Sequence, residues 1–247
     1  MEANNRTTNL VILFYNSNMF KGRLEIAVEN KEEAIIAEKA GADRIEISTN
    51  LEKRGLTVSV KDITNIVVSV NIPSYVMIKP SSSSYEFTEE EFSLMLQTIE
   101  LCKLANVKGI IIGFLKKGKI DRERLEKIIN IKGDLEIVIN RAIDSVVNYE
   151  KEVEYLVTHP KINYIQTSGA AETVFDGRFR LKPLIMKYPD KFILSSGLNK
   201  NIIEKLIDED IDRVIYQMNS GARKNGNFNT FFSFDKISEV KGILKNN

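Results

Sequence analysis

The chain has 247 residues, 43% of them hydrophobic and 28% charged, which suits one large globular domain with a core of its own. Its 35 basic and 34 acidic residues nearly cancel, so no global field invites nucleic acid or a membrane surface. No apolar run approaches the roughly 20 residues of a membrane span; the lone cysteine, Cys102, excludes an internal disulfide and suits a reducing compartment, and the lone histidine, His159, excludes a histidine-rich metal site within one chain.

Residues 1–22 read as an N-terminal extension set apart from a domain over 23–247. A polar stretch precedes a short apolar run at 10–15, whose flanks are too acidic and amidic for a signal peptide. An added strand or plug at one end of the domain is one reading; a poorly ordered tail, or a start codon placed too early with Met19 as the true start, is preferred. From Leu24 the pattern changes. Residues 24–28 predict a strand and residues 45–47 another. Between them Asn30 and Glu33 stand at a helix start, Ala34, Ala37 and Ala40 recur at helical spacing, and Gly41 ends the helix. Two strands joined by a helix run parallel, so this is a βαβ unit. Glu25 and Glu46 lie inside its strands, where a sheet covered on both faces should be apolar, so each carboxylate needs a partner or a task.

The alternation continues. Ser59 caps a helix bearing Ile63 and Ile66, residues 75–78 form a third strand closed by Lys79 and Pro80, and Thr88 with Glu91 forms a capping box. Further strands are predicted at 109–114, 135–139, 162–167, 192–195 and 213–216. Helices follow each of them, and the last carries Ile237, Val240 and Leu244. Eight strand–helix pairs in this length are the pattern of a (β/α)₈ TIM barrel, a single α/β domain. A doubly wound open sheet is the alternative, but it normally shows a glycine-rich turn after strand one, and Val28-Glu29-Asn30 has no glycine.

Barrel ligands bind where the strands end, and polar residues gather there. Glu25 and Glu46 could face Lys79 and Arg141 across the mouth, two acids against two bases, with Asn140, Asp144, Thr167 and Ser168 nearby. Such a set can hold a polar small molecule or shift pKa values for acid–base work; equally, the charges could be structural ion pairs. Ser196 and Gly197 after strand seven, with Ser220, Gly221 and Arg223 after strand eight, suit a phosphate loop pair, though short Ser-Gly loops are common. Cys102 reads as a buried small hydrophobe and His159 as a helix C-terminal residue. Phe228, Phe231, Phe232 and Phe234 read as core packing or a subunit contact, and residues 116–119 as a solvated loop.

The chain resembles the CutC family. The likeness runs from Leu24 to about Arg223 and rests on Leu24-Glu25-Ile26, Gly41-Ala42-Asp43-Arg44-Ile45-Glu46, Gly55-Leu56-Thr57, Ile78-Lys79-Pro80, Arg141-Ala142-Ile143-Asp144 and Thr167-Ser168-Gly169. It implies a cytoplasmic (β/α)₈ barrel associated with copper homeostasis, copper as a bound ion, and a homodimer. No reaction is firmly assigned to such proteins. The copper-relevant positions depart from the pattern: Ala27 and Val28, and Ser48, replace cysteines; Asn140 replaces a histidine; Asn219 stands near a second missing one; Lys79 replaces an arginine and Ile143 a phenylalanine. Cu(I) wants thiolate, thioether or imidazole, and the remaining mouth residues are hard ligands. Three roles follow: copper handling, direct or indirect; an enzyme on a small anionic, phosphorylated or sugar-like substrate; or a barrel retained for assembly with a vestigial mouth.

Overall fold

The computed structural model describes residues 22–82 and 84–246; the expected extension therefore lies, apart from Gly22, outside the described residues. Eight parallel strands close a barrel: β1 (Arg23–Val28), β2 (Arg44–Ile47), β3 (Ser74–Met77), β4 (Gly109–Ile112), β7 (Glu136–Ile139), β8 (Tyr164–Thr167), β9 (Phe192–Ser195) and β10 (Ile215–Met218), with β1 paired to β10. A short antiparallel hairpin, β5 (Leu115–Lys116) and β6 (Lys119–Ile120), replaces the solvated loop expected there. It makes β4 shorter than the run 109–114 suggested.

The helices outside are α1 (Lys31–Lys39), α2 (Val60–Val67), α3 (Glu89–Leu104), α4 (Arg122–Ile131), α5 (Tyr149–Thr158), α6 (Val174–Lys187), α7 (Lys200–Asp208) and α8 (Phe234–Asn246). Their starts follow local chemistry. Asn30, Ser59, Thr88, Asp121 and Asn199 each accept the N3 backbone N–H, and Thr88 with Glu91 completes its capping box. Gly41, at φ +94°, turns the chain out of α1. The faces that pack inward are the ones the periodicity marked: Ile63 and Ile66 on α2 are each 1% exposed, a burial of about 1.5–3 kcal/mol apiece. Cys102 is wholly buried on α3, where burial pushes its thiol up to about 12, and His159 ends α5. The phenylalanines divide: Phe232 is buried, Phe231 and Phe234 are exposed, and Phe228 reaches the mouth.

β10 begins two residues later than the apolar run 213–216 indicated. Arg213 binds Asp190 at 2.7 Å ahead of the strand, and the ladder with β9 starts at Ile215 and runs on to Gln217. Gln217 is polar, so periodicity ended the strand early; its side chain faces the barrel interior.

Side chains inside the barrel form a cluster separate from the strand–helix core: Tyr75, Met77, Ile111, Val138, Ile193 and Ile215, with Tyr164 against them. The same alternation turns Glu25 inward, beside Arg44 in register on β2. Arg44 Nε lies 2.5 Å from Glu25 Oε2, and both side chains are buried. The contact is one of charge rather than an aligned hydrogen bond, and no nitrogen of Arg44 finds an aligned acceptor. Its guanidinium is covered instead by the Tyr75 ring, centroid 3.3 Å away, and the Tyr164 ring at 5.1 Å. Tyr75 in turn donates to Glu136 at 2.6 Å. Glu25 thus pairs below the mouth with Arg44, and the anticipated pairing with Arg141 does not occur: Arg44 is its in-register neighbour, while Arg141 is held by Asp144.

Glu25→Leu alone strands a buried guanidinium and is expected to cost about 3–5 kcal/mol in chemical denaturation, whereas Glu25→Leu with Arg44→Met is expected to recover most of it. A single variant as stable as wild type would show that the pair carries no such constraint.

Candidate functional site

At the C-terminal ends of the strands a cavity of about 420 Å³ opens to solvent. Its floor is made by the last inward-facing positions of the barrel, among them Glu46, Met77, Asn140, Gln166, Ser195 and Gln217. The strands deliver these residues together because each is one alternation above an interior position: Arg44 below Glu46, and Tyr75, Val138, Tyr164, Ile193 and Ile215 below the others. Its rim comes from the loops, with Arg54 after β2, Tyr85 after β3, Arg141 after β7, Ser196 and Gly197 after β9, and Asn219, Ser220 and Phe228 after β10.

Glu46 is the chemical centre of this floor. It is 3% exposed and has no cationic partner among the described residues. Its Oε2 accepts from Gln166 Nε2 at 2.8 Å and Gln217 Nε2 at 2.9 Å, and its Oε1 from Ser48 Oγ at 3.2 Å. Gln217 Oε1 accepts from Ser195 Oγ at 2.7 Å, which fixes the amide's orientation. Burial pushes the Glu46 carboxyl up to about 7, the charge of Glu25 adds to that, and the three neutral donors pull the other way. Burial also raises Glu25, against the pull of Arg44. The anticipated pair between Glu46 and Lys79 is absent: the Lys79 side chain turns to a neighbouring cavity, where its Nζ donates to the Lys53 carbonyl at 3.4 Å. Neutral amides hold Glu46 instead, and with no cation to offset its burial the carboxyl's proton affinity sits near neutrality.

The remaining expected residues divide by task. Arg141 lines the mouth, but its Nε binds Asp144 at 2.8 Å and its Nη2 donates to Ser168 Oγ at 2.8 Å. Asp144 accepts from Thr167 Oγ1 at 2.5 Å, from Ser168 Oγ, and from the backbone N–H groups of Ser168 and Ala170. Asp144, Thr167 and Ser168 therefore organise the loop after β8 and leave Arg141 as the group of that network facing the cavity. Asn140 uses Oδ1 to accept the Ala142 N–H, and its amide lies 3.7 Å from Met77 Sδ.

Of the two loops expected to cradle phosphate, Ser196, Gly197 and Ser220 reach the mouth, while Gly221 lines a separate outer cavity with Ser220. A Cβ on Gly221 would stand 2.0 Å from the Leu198 carbonyl oxygen, so this glycine serves the close approach of the two loops. Arg223 is not available to an anion: its guanidinium is buried against Glu33 at 2.8 Å and Glu29 at 3.3 Å. Gln166, Gln217, Arg44, Arg54 and Tyr85 were not marked from the sequence. The two glutamines carried the same signal as Glu46, a polar residue inside a covered strand. Arg54 and Tyr85 carried none, since loop closure places them.

Copper, which the family resemblance implies, does not fit these residues. The mouth offers carboxylate, amide and hydroxyl oxygens with one thioether, Met77, while Cys102 lies on an outer helix. Among the described residues no group of three or more His, Cys, Asp or Glu could hold a metal ion. No helix among them is long and apolar enough to cross a membrane.

A profile of the CutC family matches residues 22–217. The chain is 32% identical over 187 residues to a family protein CutC of Histophilus somni, covering 74% of this chain and 76% of that one. It is 31% identical over 175 residues to a human protein named copper homeostasis protein cutC homolog, covering 70% and 64%. Among solved structures, a CutC protein of Streptococcus agalactiae superposes with a TM-score of 0.72 at 20% identity, covering 81% of this chain and 98% of that one. Phosphoribosyl anthranilate isomerase of Thermotoga maritima does so with 0.62 at 18%, covering 92% and 100%. At these identities the structural likeness speaks for the fold alone.

The raised Glu46 carboxyl has a measurable consequence. The folded state holds its proton up to about pH 7 and the unfolded chain releases it near 4.5, so stability is lost as pH rises between the two. Relative to Glu46→Gln, wild type is expected to lose roughly 3 kcal/mol from pH 4.5 to 8, since each pH unit in that window is worth about 1.4 kcal/mol. Parallel pH–stability curves for the two proteins would contradict the assignment.

Proposed function

The chain belongs to the CutC family, and we propose that its barrel mouth binds a small polar, anionic molecule and moves a proton on it, with Glu46 as acid and base. One observation carries this reading: a buried carboxyl with a pKa of about 7 on the floor of an open cavity, held by neutral amides instead of a cation. At neutral pH such a group is divided between its two forms. It can take a proton from a bound substrate and return it without a large energetic penalty in either direction.

The rim supplies what an anionic substrate needs. Arg54 and Arg141 present positive charge above the floor, and Ser196 and Ser220 present hydroxyls at loop ends. Arg141 is positioned rigidly by Asp144 and Ser168, so it contributes direction as well as charge. The substrate class is a phosphorylated or carboxylated small molecule, sugar-like in its hydroxyl content, which Asn140, Asn219 and Ser195 can recognise. Glu25 takes no part in contact with substrate; it acts on Glu46 through charge alone.

The relatives' names place the family in copper homeostasis. We carry that role to this chain as an indirect one, reached through the chemistry of the mouth, because its donor set disfavours tight Cu(I) binding.

A thermal-shift screen of phosphate monoesters and hydroxy acids tests the reading. A stabilising ligand is expected, Arg54→Gln is expected to weaken it about tenfold or more by removing a charged hydrogen bond, and Glu46→Gln is expected to fold and to abolish turnover. Tight binding of one Cu(I) per chain in an anaerobic competition titration, with no small anion bound, would replace this proposal with direct copper binding.

A further inference from the structure

Lys79 stands apart from the mouth. It continues the inward alternation of Tyr75 and Met77, yet its side chain lines a second cavity, about 700 Å³, between the loops that follow β2 and β3. The two cavities share Glu52, Arg54 and Tyr85 as a common wall. Lys79 is 3% exposed, and no carboxylate among the described residues pairs with it. Among the described residues its amine has one acceptor, the Lys53 carbonyl at a long 3.4 Å, and it lies 5.0 Å from the centre of the Tyr85 ring. Its backbone, by contrast, is clamped on both sides: its N–H donates to Thr57 Oγ1 at 2.7 Å, and its carbonyl accepts the Thr57 N–H at 3.0 Å. The base of the side chain is therefore fixed while its tip is left underbonded beside a second cation.

We propose that Lys79 is a carbonyl-reactive amine, the nucleophile of a second site beside the mouth that takes a small aldehyde or ketone bearing an anionic group. Burial, and then the charge of Arg54, push this amine below its ordinary value, and a neutral lysine at a strand end is a competent nucleophile. The nitrogen lone pair attacks the carbonyl carbon and the C=O pair moves to oxygen. Proton transfer gives the carbinolamine. The C–O bond then breaks, and the oxygen leaves as water with the two protons the amine gives up, leaving a C=N bond. No oxidant or reductant is needed. The carbonyl follows from the amine, since a carbonyl carbon is what forms an imine with it. The cavity wall carries Glu52 and Glu86 as well as Lys53 and Arg54, and the anionic group follows from Arg54, the charge that acts on the amine itself. The site is independent of the proton chemistry assigned to Glu46.

The test uses the whole protein at pH 7 with glyoxylate and cyanoborohydride, followed by peptide mass mapping. The lowered proton affinity leaves more of this amine neutral at this pH, so Lys79 is expected to be alkylated severalfold faster than the exposed Lys117. The advantage is expected to vanish in denaturant, and Lys79→Arg is expected to remove the fast-reacting site with unchanged circular dichroism. With acetaldehyde in place of glyoxylate, the Lys79 to Lys117 ratio is expected to fall. Alkylation of Lys79 no faster than of Lys117, or a fast site that survives in Lys79→Arg, would overturn the proposal. An equal ratio for the two aldehydes would overturn its anionic part.

Discussion

The register between β1 and β2 places two glutamates inside one barrel, and the rest of the structure adapts to that constraint. Glu25 stands opposite Arg44, and Glu46 opposite Ala27. Two carboxylates in the same enclosed space cannot both ionise cheaply. The lower one meets a guanidinium stacked on tyrosine; the upper one meets only amides and a hydroxyl. The difference in partners divides their tasks. One carboxylate balances a buried charge at the base, and the other holds a proton that can leave near neutrality.

Around that axis the loops perform two kinds of work. Asp144 gathers hydroxyls and backbone N–H groups from the loop after β8 and aims Arg141 at the cavity. Arg223 pairs with Glu29 and Glu33 and ties the last barrel loop to the first. These charges look alike in sequence, but one faces ligand space and the other is consumed in closing the ring of loops. Lys79 is the contrasting case: a cation that the fold buries with no counter-charge among the described residues.

Where the family resemblance implies soft ligands, this chain has Ala27, Val28, Ser48 and Asn140. Ser48 instead donates to Glu46, and Asn140 supports the turn at Ala142. The substitutions are thus integrated into the hydrogen bonding of the mouth. A site built this way is coherent for oxygen-rich, anionic molecules and poorly matched to a soft cation.

Much of the fold was legible in the chain by itself. Eight strand–helix pairs, the caps at Asn30, Ser59, Thr88, Asp121 and Asn199, and the inward faces of the helices are consequences of local periodicity and local hydrogen bonding, which neighbouring residues decide among themselves. The position of Glu46 inside a covered strand, and the suspicion that a carboxylate there needs a task, came from the same source. Partnership did not. Glu25 and Arg44, Glu46 with Gln166 and Gln217, and Arg223 with Glu29 and Glu33 are joined by strand register and barrel closure, which bring residues up to 194 positions apart into contact. A charge pattern states how many cations and anions there are; only the closed barrel decides which of them meet. Where they fail to meet, at Glu46 and Lys79, low dielectric and absent counter-charge shift the proton affinities, and the candidate chemistry arises there.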